Sequence, residues 1–488
     1  MAGVLHNNMN GKTILLVSCY ELGHQPLGVA FPCGFLQQVG YATDTLDIAV
    51  EPLDETKIAN AWFVGISVPM HTALRLGVRV AERIRHVNPR CHICFYGLYA
   101  SLNADYLLEH GADFIIGGEY ETPLVALIDA LANGGSLDIA GISRRGHVGR
   151  PYVQRQPFVA PQRSSLPPLS KYARLEHQGT QRLVGTVEAS RGCLHHCRHC
   201  PIPPVYGGRF FIVPTDIVLN DIRQLVEAGA THITFGDPDF LNGPGHARRV
   251  VRALHNEFPA LTFDFTAKVE HLLKHQAILP ELAESGCLFV VSAFESLSDT
   301  VLAHLEKGHT RADIHKLLDV VTEAKLALRP TWVPFTPWTT LDDYIDILQF
   351  VRDHKLIDYV DPVQYTIRLL VPPGSNLLRQ PAIQPFLGAL DHQHLSYRWR
   401  HPDPCMDDLH KTVSALVEQA AQSNEHPAKT FDRVCQVAYA MRGDEMPELI
   451  STATRDQTGR APRLTEPWFC CAEPTTSQFD ALQRRRGI

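Results

Sequence analysis

The chain has 488 residues, 45% hydrophobic and 20% charged, enough for two or three domains with cores of their own. A net charge of −7 argues against a nucleic-acid partner, because phosphate binding wants a basic face. No apolar run nears the roughly 20 residues of a membrane span, and Met1 to Asn10 lack the charged start and apolar stretch of a secretory signal. A cytoplasmic protein with no membrane partner is therefore expected, its twelve cysteines free thiols rather than disulfides.

Short apolar runs predict strands at Thr13–Cys19, Ala42–Leu46, Trp62–Val68, His92–Tyr96 and Phe114–Ile116. Amphipathic stretches between them predict helices over Val29–Val39, Leu74–Val87 and Thr122–Leu131. This alternation over residues 1–135 reads as a Rossmann-like parallel sheet domain. Cys91 and Cys94 fall on or beside a buried strand and read as core thiols. Residues 136–180, with Arg144-Arg145-Gly146 and scattered prolines, read as a linker.

The motif that decides the chemistry is Cys193-Leu194-His195-His196-Cys197-Arg198-His199-Cys200, a CxxxCxxC loop after the strand Leu183–Val187. Thiolates hold iron–sulfur clusters, and three of them leave one iron of a cubane open to a small molecule. The competing reading is a structural zinc knuckle completed by His195, His196 or His199. Strands are predicted at His232–Phe235, Thr262–Thr266, Leu288–Ala293, Arg329–Val333 and Val363–Leu370. Helices are expected at Thr215–Glu227, with Thr215 as N-cap, and at Ala247–Phe258. Residues 181–385 thus read as a partial (β/α)6 barrel, followed by a C-terminal helical region and tail over 386–488.

The CxxxCxxC loop and the units after it resemble the radical SAM superfamily, in which the open iron chelates S-adenosylmethionine (SAM). The implied metal ligands are Cys193, Cys197 and Cys200. Gly117-Gly118-Glu119-Tyr120-Glu121 and the strand–loop VGISVPMHT resemble the cobalamin-binding domain that precedes the barrel in one large class of that superfamily. The DxHxxG signature of a cobalt-ligating histidine is absent, with His24 the nearest candidate, so cobalamin is a possible cofactor beside the 4Fe-4S cluster and SAM. Barrel working groups sit at strand C-termini, which singles out Asp237 and Asp239 in GDPDF, Lys268 after FDFTA, Glu295 in SAFESLSD and Arg329. Asp239 is expected to be catalytic. Asp237, Lys268, Glu295 and Arg329 are expected to bind the cofactor, together with Tyr206, Gly207 and Gly208, where backbone can approach SAM closely.

The tail Pro467-Trp468-Phe469-Cys470-Cys471-Ala472-Glu473-Pro474 pairs vicinal cysteines with aromatics. Such a pair suits a thiophilic atom or a nucleophilic thiolate, and Cys405 offers a third sulfur. This tail resembles the CUAEP/CCAEP-tail radical SAM family, and the whole pattern is similar to arsinothricin-type radical SAM enzymes. That resemblance implies a transferase that moves the 3-amino-3-carboxypropyl group of SAM onto trivalent arsenic. Arsenite would be held by catalytic Cys470 and Cys471, and a flavodoxin or ferredoxin would donate the electron. The alternatives are a cobalamin-dependent radical methylase acting on carbon or phosphorus, and a non-enzymatic iron–sulfur or metalloid-binding protein.

Overall fold

The computed structural model describes residues 13–444, 461–466, 474–475 and 478–479; Cys470 and Cys471 lie outside them. Strands β1 (Thr13–Ser18), β2 (Thr43–Asp47), β3 (Ala61–Ser67), β4 (His92–Tyr96), β5 (Phe114–Ile116) and β6 (Ile142–Arg144) form one sheet in the order β2-β1-β3-β4-β5-β6. All its pairings are parallel except β5 with β6. Helices cover both faces, so β3 is apolar almost throughout rather than alternating. The strand order reverses between β1 and β3, where ligands of open α/β sheets bind.

Helix Leu27–Gln38 runs beneath that reversal and buries ten of its residues. It carries Pro32, which cannot donate to the carbonyl of Gly28. The Tyr96 hydroxyl, from β4, donates to that same carbonyl at 2.7 Å. A helix interruption is thereby satisfied from the sheet.

The second sheet holds β7 (Arg174–His177), β8 (Thr180–Val187), β11 (His232–Phe235), β12 (Thr262–Thr266), β13 (Cys287–Glu295), β14 (Ala327–Trp332) and β17 (Arg463–Leu464), in the order β14-β13-β12-β11-β8-β7-β17. The five strands β8 and β11 to β14 are parallel and make the half-barrel. Between β8 and β11 a small antiparallel pair, β9 (Ser190–Gly192) and β10 (Phe210–Ile212), brackets the cysteine loop.

Four expectations need correction. Residues 136–180 are not a loose linker, because they contain β6 and β7 and carry the buried Arg163. Its guanidinium reaches Asp221 at 2.6 Å, the Thr186 carbonyl at 2.7 Å and Gln25 at 2.8 Å, tying both sheets together. Val363–Leu370 is no sixth strand. Pro362 opens a 3-10 turn, Thr366 Oγ1 donates back to the Val363 carbonyl, and only Arg368 bridges to Phe335. Helix Thr215–Glu227 is capped by Pro214, with no side-chain bond at Thr215. The C-terminal region also contains a hairpin, β15 (Leu387–Asp391) with β16 (Ser396–Trp399), ahead of helices Pro404–Gln422 and Pro427–Arg442. Those two helices pack into the barrel core through Leu409, Val413, Phe431 and Val434.

Among the described residues no helix is long and apolar enough to cross a membrane.

Candidate active site

The cysteine loop sits at the C-terminal rim of the half-barrel, where β9 delivers it and neighbouring strand ends grip it. Gly192 makes this entry possible. It adopts φ +76°, and a Cβ there would stand 2.4 Å from the Arg209 carbonyl oxygen. That carbonyl accepts from the Cys193 N–H at 3.1 Å. Farther along, the Arg198 N–H donates to the Leu305 carbonyl at 3.0 Å, and its side chain pairs with Glu306. Gly207 and Gly208, which end the loop, both take the left-handed conformation. A side chain at Gly208 would meet the His196 ring 2.7 Å away.

Cys193 and Cys197 are buried and Cys200 is half-buried, and none is in a disulfide. Burial pushes the Cys200 thiol up to about 12, with Cys197 and Cys193 adding their repulsion. Burial raises Cys193 in the same direction. Thiols so placed are ligands in waiting, because a bound cation supplies the compensation that solvent does not.

The zinc alternative does not fit these residues. His195 faces Lys268 and His271, His199 faces Glu295, and the His196 ring lies against Gly208. Among the described residues the one trio of donor atoms within 4.8 Å of each other is His195, Asp239 and His271, not the three thiols. A single tetrahedral ion would need its sulfurs closer than that, whereas a cubane spaces them wider. The trio itself is not arranged for a cation either. The Lys268 ammonium stands 3.0 Å from His195 Nδ1, which commits the imidazole proton to Nε2, the atom facing the trio. Three thiols held in one loop, two buried and one half-buried, with no histidine joining them, fit a 4Fe-4S cluster that keeps one iron open.

The remaining expected residues divide into those the fold brings to this loop and those it does not. Glu295 ends β13 beyond a register shift and has φ +64°, unusual for a side chain that is not glycine. Its carboxylate accepts from Lys307 Nζ at 3.0 Å and faces His199 Nε2 at 3.2 Å. Burial would raise its pKa, but the Lys307 charge and His199 outweigh it and hold the carboxyl well below the usual range. Lys268, two residues past the end of β12, lies between His195 and Glu270, 3.3 Å from the latter. Asp239 is fully buried and accepts from the Leu241 N–H at 2.9 Å and the Lys268 N–H at 3.2 Å, with His271 Nδ1 2.9 Å away.

Two expected cofactor ligands are directed elsewhere. Asp237 accepts from the Ala189 N–H at 2.9 Å and the Ser190 hydroxyl at 2.6 Å, so both its oxygens brace the turn between β8 and β9. Arg329 lies low on β14, two residues after its start, paired with Asp361 at 2.8 Å and donating to the Pro462 carbonyl. The Cys405 sulfur lies 4.0 Å from that of Met441, and Cys470 and Cys471, its expected partners, are outside the described residues. A cavity of about 1540 Å³ between the β15–β16 hairpin, Thr366–Leu370 and helix Pro404–Gln422 includes no residue of the cysteine loop.

Burial pushes Asp237 from 3.8 up to about 7. The folded carboxyl therefore holds its proton more tightly than the unfolded one, and this group favours folding most at low pH. Its contribution is lost as pH rises from about 4 to about 7. Thermal denaturation against pH is expected to show that decline, and Asp237→Asn is expected to flatten it.

Composition did not reveal the contact between the two sheets' domains. The Tyr206 hydroxyl donates to Glu119 at 2.9 Å. Buried Arg191, two residues before Cys193, donates to Glu121 at 2.6 Å and to Glu188 at 2.7 Å. Gln156 adds bonds to Glu119 and Glu121. The GGEYE turn of the first domain is therefore fastened to the stem of the cysteine loop. At the sheet reversal Glu21 accepts from the Leu27 and Gly28 N–H groups, so the helix N-terminus is filled by the chain's own carboxylate. His24 is half-buried, and desolvation lowers its imidazole to about 4, with the charges of Asp264 and His232 of the barrel acting on it in opposite senses.

Family models match at two places: the radical SAM superfamily over residues 187–372 and the B12 binding domain over residues 13–128. The hopanoid C-3 methylase of Methylococcus capsulatus is 22% identical over 324 residues, covering 63% of this chain and 62% of that protein. The ribosomal protein uS12 methylthiotransferase RimO of Porphyromonas gingivalis is 29% identical over 206 residues, 38% of this chain and 45% of that protein. The chain thus spans less than two thirds of these relatives. In fold, it matches the cobalamin-dependent radical enzyme OxsB with aqua-cobalamin and SAM bound (TM-score 0.64, 16% identity, 84% of this chain and 67% of that one). It also matches the methyltransferase TsrM of Kitasatospora setae with cobalamin and a [4Fe-4S] cluster bound (TM-score 0.59, 17% identity, 71% of this chain and 73% of that one). The chain thus carries a radical SAM domain over residues 187–372, with a B12-binding domain ahead of it over residues 13–128.

Proposed function

We propose that this protein is a cobalamin-dependent radical SAM methyltransferase acting on a small molecule. The observation that carries the reading is the joint between the two domains: the B12-type domain's Glu119 and Glu121 seize Tyr206 and Arg191 on either side of the three-thiol loop. A methyl carrier in the first domain and a SAM-cleaving centre in the second need such a fixed approach. The relatives named methylase and methyltransferase support the same reading.

When bound, the cluster supplies the electron that breaks a carbon–sulfur bond of SAM, and cobalamin carries the methyl group. The chain's own residues supply the rest. Cys193, Cys197 and Cys200 would hold the cluster through three of its irons, leaving the fourth for SAM. Lys268 offers a cation toward the SAM carboxylate, with Glu270 and His195 fixing its position. Glu295, kept ionised by Lys307, faces the same centre and suits the SAM ammonium or ribose hydroxyls. Gly207 and Gly208 leave backbone accessible beside the loop. Asp239 orients His271 and the turn after β11.

Aminocarboxypropyl transfer to arsenite depends on Cys470 and Cys471, outside the described residues, and no relative named above supports it. Product analysis after anaerobic reconstitution with cluster, cobalamin and a chemical reductant separates the two chemistries. Methyl transfer predicts S-adenosylhomocysteine with 5′-deoxyadenosine, unchanged by arsenite. Methylthioadenosine formed only with arsenite would replace this reading by the arsenic one. The physiological reductant is proposed to be a flavodoxin- or ferredoxin-type protein.

A further inference from the structure

Asn242 stands beside the cysteine loop with half of its amide committed and half left over. It ends the 3-10 turn Phe240–Asn242 that Asp239 caps after β11. Its Oδ1 accepts from the Leu194 N–H at 3.2 Å and lies 3.7 Å from Cys193 Sγ. That N–H contact fixes which way the amide faces, because an NH2 group there would meet another donor. The Nδ2 atom is buried and has no hydrogen-bond partner among the described residues. A buried amide donor without an acceptor is rare in folded proteins and calls for a group not made by the chain itself.

The sulfur that the structure places beside this amide is Cys193 Sγ, 3.7 Å from Oδ1. From this we propose that Asn242 is a positioning residue whose Nδ2–H donates to a sulfur of the cluster held by Cys193, Cys197 and Cys200, making that cluster easier to reduce. The inference rests on the cluster reading above. Hydrogen bonds to cluster sulfurs stabilise the reduced, more negative state, so their number sets the potential at which the electron is accepted. The same amide pins Leu194, which couples loop position to cluster electronics. Asp239 fits this arrangement, since it shapes the turn that presents Asn242.

The test uses the full chain, anaerobically reconstituted, with Asn242→Asp and Asn242→Ala beside the native protein. Asn242→Asp retains an oxygen for the Leu194 N–H and removes the donor. Asn242→Ala removes both without adding charge. EPR-monitored redox titration is expected to show a more negative midpoint potential in both variants. Pulsed EPR on protein labelled with 15N-asparagine is expected to show a nitrogen coupling to the reduced cluster that both variants lose. A native cluster without that coupling, or an Asn242→Ala potential equal to the native one, overturns the inference while leaving the cluster in place. If Asn242→Ala fails to bind iron, the coupling in the native protein and the Asn242→Asp potential decide the matter. A native protein that forms no cubane overturns the underlying reading instead, and the two failures are distinguished by iron and sulfide content.

Discussion

Replacing Cys193, Cys197 or Cys200 by alanine is expected to lower SAM cleavage roughly 10³-fold or more, the scale at which a group of catalytic residues loses its function when one member goes. Iron and acid-labile sulfide should fall with it, because each thiol holds one iron and none of the other described cysteines is placed to substitute. Cys287 begins β13, at the opposite end from Glu295, while Cys19, Cys33, Cys91, Cys94 and Cys435 are buried in the cores. Cys91→Ala and Cys94→Ala are therefore expected to keep both cluster and activity. Iron analysis with a SAM-cleavage assay checks the whole series. A single loop variant that retained cluster and cleavage would remove that residue from the ligand set.

Arg191→Ala is expected to destabilise the protein by about 3–5 kcal/mol, the usual result of stripping one partner from a buried charge network. Three carboxylates, Glu119, Glu121 and Glu188, lie within 3.5 Å of its guanidinium, and the first two are fully buried. Desolvation works against the Arg191 charge, but Glu121, Glu188 and Glu119 outweigh it and hold the group charged. Phe31, Phe158 and Tyr120 surround it at 4.4, 5.3 and 5.7 Å, so no water replaces the lost cation cheaply. Without it Glu119, which burial already pushes up to about 7, would keep the Tyr206 hydroxyl and share Gln156 with Glu121, with no cation beside it. The N-terminal domain should also loosen from the cysteine loop. A fall in thermal midpoint together with faster proteolysis near residues 135–165 would report both effects. An unchanged midpoint would show that the network adds nothing to the joint.

Parts of this architecture were legible in the residues because they follow from short-range rules. Parallel strands buried on both faces, such as β3 and β4, announce themselves as apolar runs. Three cysteines on one loop keep their meaning whatever surrounds them. Arg329 and Asp237 were misassigned for one shared reason. A charge near a strand end is a candidate ligand in sequence, yet its partner, Asp361 or the Ser190 hydroxyl, is chosen by the tertiary fold. Arg163 and Arg191 were illegible in the same sense. Neither is marked by its neighbours as an ion-pair residue, and they acquire their roles from residues 58 and 70 positions away. Asn242 left no pattern at all, since only the geometry reveals a buried amide with an unused donor. Val363–Leu370 looked like a strand by composition, but Pro362 and the Thr366 hydroxyl turned its first half into a 3-10 turn.

The central claim is that three thiolates hold a cubane whose remaining iron receives SAM. Its most direct test is the EPR spectrum of the reduced, anaerobically reconstituted protein recorded with and without SAM. Ligation of SAM at the open iron predicts a distinct shift in g-values on addition. A spectrum that SAM leaves untouched, or a loop that carries zinc in place of iron, would contradict it.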